Sequence, residues 1–324
     1  MRILNGLDGL KQLEPGAVMS IGNFDGVHLG HQRLLGRAAE LKAAHGQHLA
    51  VVTFEPHPLT VLKPGQAPPR LTTKGQKRRL IEAAGVDTLV ELAPSGDVLN
   101  LTAEQFWQLL RDQIRPSHLV EGRSFSFGKG RAGTVDKLQE WTIGTAVTLH
   151  VMDPRKMALL DLRVVPASSS TTRWLLSRGR VRDAAILLGR AYELEGLVVH
   201  GTARGRELGV PTANLQFDDQ LIPADGVYAG RCVVDGIIWP AAVSIGTNPT
   251  FGQNPRTVEA HLIGFTGDLY DQTLRLELTD WLRDQRVFAG IEALKEWIAA
   301  DIVQTLERRN LDPSRPIAKV EVVL

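Results

Sequence analysis

In its first half the chain alternates short apolar runs with longer stretches of helical periodicity, and this alternation restricts the fold more than any other feature. Residues 17–21, 48–54, 88–92, 118–120 and 146–151 read as strands buried on both faces. Between them, residues 32–44 carry Leu34, Leu35, Ala38 and Leu41 on one helical face. Residues 76–84 carry Leu80 and Ile81, and residues 104–114 carry Phe106, Leu109 and Leu110. A strand–helix–strand order of this kind predicts an α/β domain with a doubly wound parallel sheet, whose ligands lie beyond the carboxyl ends of the strands.

From Ser168 the texture changes. A Ser/Thr cluster and a helical stretch around residues 182–188 lead into β-type sequence rich in turns, with strands expected at 197–200, 227–234, 237–243, 257–262 and 274–278. Asp235-Gly236 between two of them is a strong two-residue hairpin signal. This half predicts a mainly antiparallel β-barrel with a closing helix over 291–306, Ile291, Leu294, Ile298, Ile302 and Leu306 facing inward. The length of 324 residues suits two domains at roughly 150 each. The expected division is 1–168, a helical linker 169–188, 189–310, and a tail 311–324.

The balance of Lys+Arg 37 against Asp+Glu 36 leaves no global pull toward nucleic acid or an anionic membrane, so any anion site must be local. No stretch approaches the roughly 18 apolar residues of a spanning helix, and the start carries no export signal, which predicts a cytoplasmic protein with no membrane partner. The lone Cys232 sits in an apolar run and reads as core.

Directly after the run at 17–21 comes Gly22-Asn23-Phe24-Asp25-Gly26-Val27-His28-Leu29-Gly30-His31. A glycine after a buried strand, a short loop and a helix start make an anion site from free backbone N–H groups and the positive helix end. His28 and His31, three apart, can add ring N–H donors, with Gly30 permitting close approach. As a bare pair they read more readily as metal ligands, incidental surface histidines or satisfied loop histidines, and Asp25 as a site-shaping residue or a turn cap. The whole run resembles the nucleotidyltransferase signature in the form found in bacterial bifunctional riboflavin kinase/FMN adenylyltransferases. Residues 53–58, 70–74, 85–87, 122–133 and Ser168-Ser169-Ser170 with Arg173 resemble the same family in the same order.

The resemblance implies that Gly22, Asn23, Phe24, Asp25, His28, Gly30, His31, Ser168, Ser169 and Arg173 surround ATP, and that Asn23, His57, Ser124, Phe125 and Arg131 lie on the flavin side. One departure stands out. The family usually has Gly-x-Asp-Phe before Phe-Gly, whereas this chain has Gly122-Arg123-Ser124-Phe125-Ser126-Phe127-Gly128, a hydroxyl in place of a carboxylate. The literal G-x-G-x-x-G at 128–133, with Asp153 twenty residues beyond Gly133, invites a dinucleotide-binding reading. The alternating polar and apolar residues before it argue against that, since the fingerprint follows a buried strand.

A second loop, Gly201-Thr202-Ala203-Arg204-Gly205-Arg206-Glu207-Leu208-Gly209-Val210-Pro211-Thr212-Ala213-Asn214, combines glycines for phosphate approach, cationic Arg204 and Arg206, and Thr212 and Asn214 as oxygen donors for Mg²⁺. It resembles the riboflavin kinase signature, with Val210 where Phe is common. Residues 246–251, 258–262, 269–270 and 282–288 continue the likeness. The resemblance implies that Gly201, Gly205, Arg206, Pro211, Thr212, Asn214 and Asn248 bind ATP phosphate, and that Glu259 accepts the proton of the attacking hydroxyl.

The expected activity is phosphorylation of riboflavin to FMN by the C-terminal half and adenylylation of FMN to FAD by the N-terminal half, with Glu259, His28 and His31 as catalytic residues. Riboflavin, FMN, FAD, ATP, ADP and pyrophosphate are the expected partners, with Mg²⁺ as cofactor and ATP as co-substrate. Two alternatives stay open: a riboflavin kinase whose N-terminal domain is inactive or altered, on account of Ser124, and a flavin-binding protein without turnover.

Overall fold

The computed structural model describes residues 1–201, 204–247 and 256–308. They form two compact units, one of Met1–Met157 with Val164–Ser169, the other of Ala158–Arg163 with the chain from Ser170 onward.

The first unit is built on six parallel strands, β1 (Arg2–Asn5), β2 (Val18–Ile21), β3 (Leu49–Phe54), β4 (Thr88–Leu92), β5 (His118–Gly122) and β6 (Thr148–Met152), in the order β1-β4-β3-β2-β5-β6. β2 through β4 are buried at nearly every position, which is why they read as unbroken apolar runs. Both sheet faces are covered. The helices Leu29–His45 and Lys74–Ala83 bring Leu35, Ala38, Leu41 and Ile81 against one, and Phe106, Trp107, Leu110 and Leu138 pack on the other. Thr73 and Gln76 close a capping box at the start of the second helix, and Gly46, at φ 63°, ends the first in the left-handed conformation.

The sequence reading missed β1, so the strand leading into the 22–31 loop is the second of the sheet, not the first. β1 is an edge strand with only Leu4 buried, and such a strand carries no apolar run to detect. The order reverses between β2 and β5, and the crevice at the carboxyl ends of these two strands is where an open sheet of this kind holds its ligand. The G-x-G-x-x-G run lies in the turn of a small antiparallel pair, Ser126–Phe127 with Gly133–Thr134, and opens no strand–turn–helix unit.

The second unit is a closed six-stranded barrel of β7 (Tyr192–Val199), β8 (Ala213–Gln216), β9 (Gly226–Val234), β10 (Ile237–Gly246), β11 (Thr257–Leu262) and β12 (Thr273–Arg283), neighbours antiparallel throughout. Asp235 and Gly236 both have positive φ, 50° and 79°, as a tight hairpin between β9 and β10 requires. Tyr228, Cys232, Val243, Val258, Ala260 and Leu278 fill the interior. β8 was not anticipated, because it is only four residues long and its first two close the phosphate-loop signature.

The helix Ile291–Glu307 packs on β9 and β10. Its buried residues are Asp301 and Thr305, while Ile291 is 55% exposed, against the expectation that an apolar stripe beginning at Ile291 faces inward. Asp301 can lie there because Arg283 of β12 meets its carboxylate with two nitrogens, at 2.7 and 2.9 Å. No helix among the described residues is long and apolar enough to cross a membrane.

Candidate active sites

In the first unit the 22–31 loop is held in place by its own side chains. Gly22 N–H donates to Val52 O at 2.9 Å as the chain leaves β2, and Phe24, Gly26 and Val27 then adopt positive φ. The apolar rings and methyls of Phe24 and Val27 are buried under the helix that follows, which offsets the strain of that turn. Asp25 is buried as well. Its carboxylate accepts the N–H groups of Leu71 and Thr72 and the Thr72 hydroxyl at 2.9–3.2 Å, so it ties the loop to residues 46 and 47 positions away.

His28 is the N-cap of the helix Leu29–His45, its Nδ1 accepting the His31 N–H at 3.3 Å. That bond occupies Nδ1 with a lone pair and leaves Nε2–H as the donor of a neutral ring. The two imidazoles stack with centroids 3.7 Å apart. Gly30 lies against both sides of this arrangement, because a Cβ there would come within 2.8 Å of Ala167 O and 2.9 Å of the His28 ring. Burial and the neighbouring His28 hold the His31 pKa well below its usual value, and its Nδ1 is buried without a hydrogen-bond partner. Ser169 donates to Asp25 O at 2.8 Å, which places residues 168–169 beside the loop. Arg173, on the helix that begins at Ser169, belongs to the second unit.

Among the residues expected on the flavin side, the Asn23 amide meets His57 Nε2 at 3.2 Å. Ser124 is exposed at the turn closed by Phe125 N–H to Gly122 O at 2.8 Å. Phe125 is half-buried and stacks on Phe127, and Arg131 donates to the Ser126 hydroxyl at 2.6 Å. In the same unit Glu55 pairs with Arg70 and Lys77, and Glu91 with Arg78 and Lys74, at 2.7–3.0 Å. These partners pull both carboxyl groups below their usual pKa against the opposing effect of burial.

In the second unit a cavity of about 920 Å³ lies against the barrel wall. Along β11 Val258, Ala260 and Leu262 are buried inward, so Thr257, Glu259 and His261 stand on the outer face. Glu259 is directly opposite Asn214 of β8 and Ser244 of β10. The hydroxyls of Thr257 and Thr212 donate to its two carboxylate oxygens at 3.2 and 3.4 Å. Gly201 leaves room for the Asn214 amide, where any Cβ would collide with it. Gly205 is equally constrained, a Cβ falling 2.5 Å from Val210 O. Pro211 O accepts from His261 Nδ1 at 2.8 Å, and Arg206 is exposed. Asn248 lies outside the described residues, as do Thr202 and Ala203.

The cavity also recruits side chains that the sequence reading did not assign to a site: Ser244, Arg256, Arg283, Gln285 and Asp301. Gln285 donates to the Ser244 hydroxyl at 3.2 Å. The available signal was a carboxylate, Asp301, on the otherwise apolar stripe of the last helix, three residues after Ile298.

The family profile described as FAD synthetase matches residues 10–161, and that described as riboflavin kinase matches residues 188–308. A bifunctional riboflavin kinase/FMN adenylyltransferase of Pseudomonas fluorescens is 38% identical over 93% of this chain and 96% of its own length. Those of Bacillus subtilis (strain 168) and Escherichia coli (strain K12) are each 34% identical, covering 90% and 93% of this chain and 92% and 96% of theirs. A crystal structure described as a macrolide-efflux protein from Streptococcus pneumoniae matches with a TM-score of 0.83 at 28% identity, over 96% of this chain and 100% of that one. Two profiles in sequence order, and relatives matched nearly end to end, agree with two separate phosphate-handling loops: the chain belongs to the bifunctional riboflavin kinase/FMN adenylyltransferase family.

Proposed function

We propose that the second unit phosphorylates riboflavin to FMN with ATP, and that the first joins FMN to the AMP moiety of a second ATP, releasing pyrophosphate. The observation that carries this reading is the presence, on one chain, of the capped and buried loop with stacked His28 and His31 and of Glu259 facing Thr212 and Asn214 across adjacent strands.

In the kinase unit the ribityl hydroxyl attacks the γ-phosphorus of ATP while Glu259 accepts its proton and ADP leaves. Thr212 and Asn214 together with the phosphates suit a hard divalent cation, since the donors that converge here are hydroxyl, amide and carboxylate oxygens. Among the described residues no three His, Cys, Asp or Glu side chains group as a self-sufficient metal site, in keeping with an ion that arrives with the nucleotide. Mg²⁺ would offset charge on the phosphates. Gly201 and Gly205 let the backbone approach the nucleotide, and Arg206 supplies a cation from the exposed side.

In the first unit a phosphate oxygen of FMN attacks the α-phosphorus of ATP, with pyrophosphate as the leaving group and no covalent enzyme intermediate. His28 Nε2–H, His31 and the N–H groups at the helix start stabilise the developing charge, and Ser168 and Ser169 stand beside the phosphate cradle. Asn23, His57, Phe125 and Arg131 hold the flavin side, with Ser124 at the turn. Asp25 shapes the loop through Leu71 and Thr72. The reading places the protein in the cytoplasm, where ATP is at hand.

The test is a time course with riboflavin, ATP and Mg²⁺, separating riboflavin, FMN and FAD. FMN rising first and FAD after it is the expected result. FMN that accumulates without FAD would select a first unit altered at Ser124, and no FMN at all would remove the kinase reading.

A further inference from the structure

One buried acid at the switch point of the first unit has no part in the scheme above. β2 and β5 pair at only two positions, Val18 with His118 and Met19 with Leu119, and then separate toward their carboxyl ends. Beyond the split the Ile21 N–H is taken up by the carboxyl group of Glu121, at 2.8 Å, so a side chain replaces the backbone ladder. Ile21 is the last residue before Gly22, and Glu121 is one residue before the turn that carries Ser124 and Phe125. Glu121 is 1% exposed. It therefore cannot stand in at the surface for the acid missing at Ser124.

We propose that Glu121 is a positioning residue for adenylyl transfer, its carboxyl group bridging the split between the two strands and fixing the 22–31 loop against the flavin-side turn. This rests on the assignment of adenylyl transfer to the first unit. The bridge holds the two loops that must present ATP and FMN to each other, and a displacement of about 1 Å between reacting groups costs about 100-fold in rate.

The surroundings suit an uncharged carboxylic acid. Strand alternation puts Glu121 on the face of Leu119, which belongs to the apolar cluster that also holds Ile21, Phe127, Trp141 and Leu149, and its strand neighbour on β6 is Val151. Among the described residues no charged side chain acts on it. Burial pushes its pKa well above the usual carboxylate range, opposed only by the Ile21 N–H. Ionisation at higher pH would set a negative charge under the loop that receives phosphates.

The experiment compares FAD formation from FMN and ATP, across pH, for the native full-length protein, Glu121→Gln and Glu121→Leu, with riboflavin phosphorylation by the same samples as an internal control of folding. Leu removes the bridge and is expected to lower kcat for FAD formation about 10- to 100-fold with little change in KM for ATP, leaving FMN formation intact. Gln keeps an acceptor for the Ile21 N–H. It is expected to stay within about 3-fold of native near neutral pH and to lack the decline in rate expected of native as pH rises. Native FAD kinetics in Glu121→Leu would overturn the proposal and leave the assignment of the unit standing. So would a Gln variant as impaired as Leu, because the charge would then be the working feature. A native protein that forms no FAD removes both the assignment and the proposal.

Discussion

The two phosphate loops of this molecule are built on opposite plans. The 22–31 loop is buried and internally braced: Asp25 binds residues 71–72, His28 caps its helix, Gly30 fits a space no side chain could share, and Phe24 and Val27 anchor the turn in the core. From the second loop, Gly201, Gly205, Leu208, Val210, Thr212 and Asn214 line the cavity and Arg206 and Gly209 are exposed, while Glu259, Asn214 and Ser244 are aligned on barrel strands by β pairing. In the first unit the proposed binding loop is itself part of the fold. In the second, β pairing in the barrel aligns Glu259 with Asn214 and Ser244, and the loop adds residues to the cavity beside them.

This contrast can be broken by measurement. The largest effect is expected from removing the chemistry on each side: Glu259→Gln should reduce FMN formation by about 100- to 10,000-fold while FAD formation from supplied FMN persists. Combined His28→Ala and His31→Ala should do the reverse. Loss of both activities in either variant would mean that the two sites are not independent. Next in size is the comparison of bracing. Asp25→Ala leaves the Leu71 and Thr72 N–H groups without their acceptor and should cost the first unit on the order of 2–3 kcal/mol in denaturant unfolding, together with FAD formation. Arg206→Ala should leave stability unchanged and raise KM for ATP in FMN formation only about 2- to 5-fold. Equal stability losses in the two variants would erase the distinction.

The smallest effect concerns pH. Folded His31 stays neutral well below pH 6.5, whereas in the unfolded chain it takes up a proton near that value. The unfolded state binds more protons in that window, so His31 makes the first unit less stable as pH falls below about 6.5 and contributes no pH dependence above it. His31→Gln should flatten the acid-side decline by at most about 1.4 kcal/mol per pH unit. Glu121 works in the opposite sense, losing stability as pH rises above the usual carboxylate range, so the difference between variant and native is the quantity to compare.

Most of the architecture was readable from sequence because strands buried on both faces show as continuous apolar runs and the barrel strands show as alternation. What escaped lacked such a pattern. Arg2–Asn5 buries one residue, and Ala213–Gln216 is too short to separate from the glycine-rich signature before it. The loops themselves were visible through glycine and histidine placement. The pair Arg283–Asp301 was not, since it depends on where the end of β12 meets a helix that begins eight residues later. Glu121 was hidden in the opposite way. An acid in an apolar run reads as surface, and only the divergence of β2 from β5 explains why it is inside.

Cys232 adds a practical consequence. It is the only cysteine in the sequence, it is fully buried in the barrel, and burial pushes its thiol up to about 11. At neutral pH about one molecule in ten thousand would carry the reactive thiolate even if a reagent could reach it. The native protein is therefore silent to maleimides, and a cysteine introduced at an exposed position such as Arg206 would take a fluorescent label alone. Nucleotide arrival at the second loop could then be followed by fluorescence with the single native thiol left untouched.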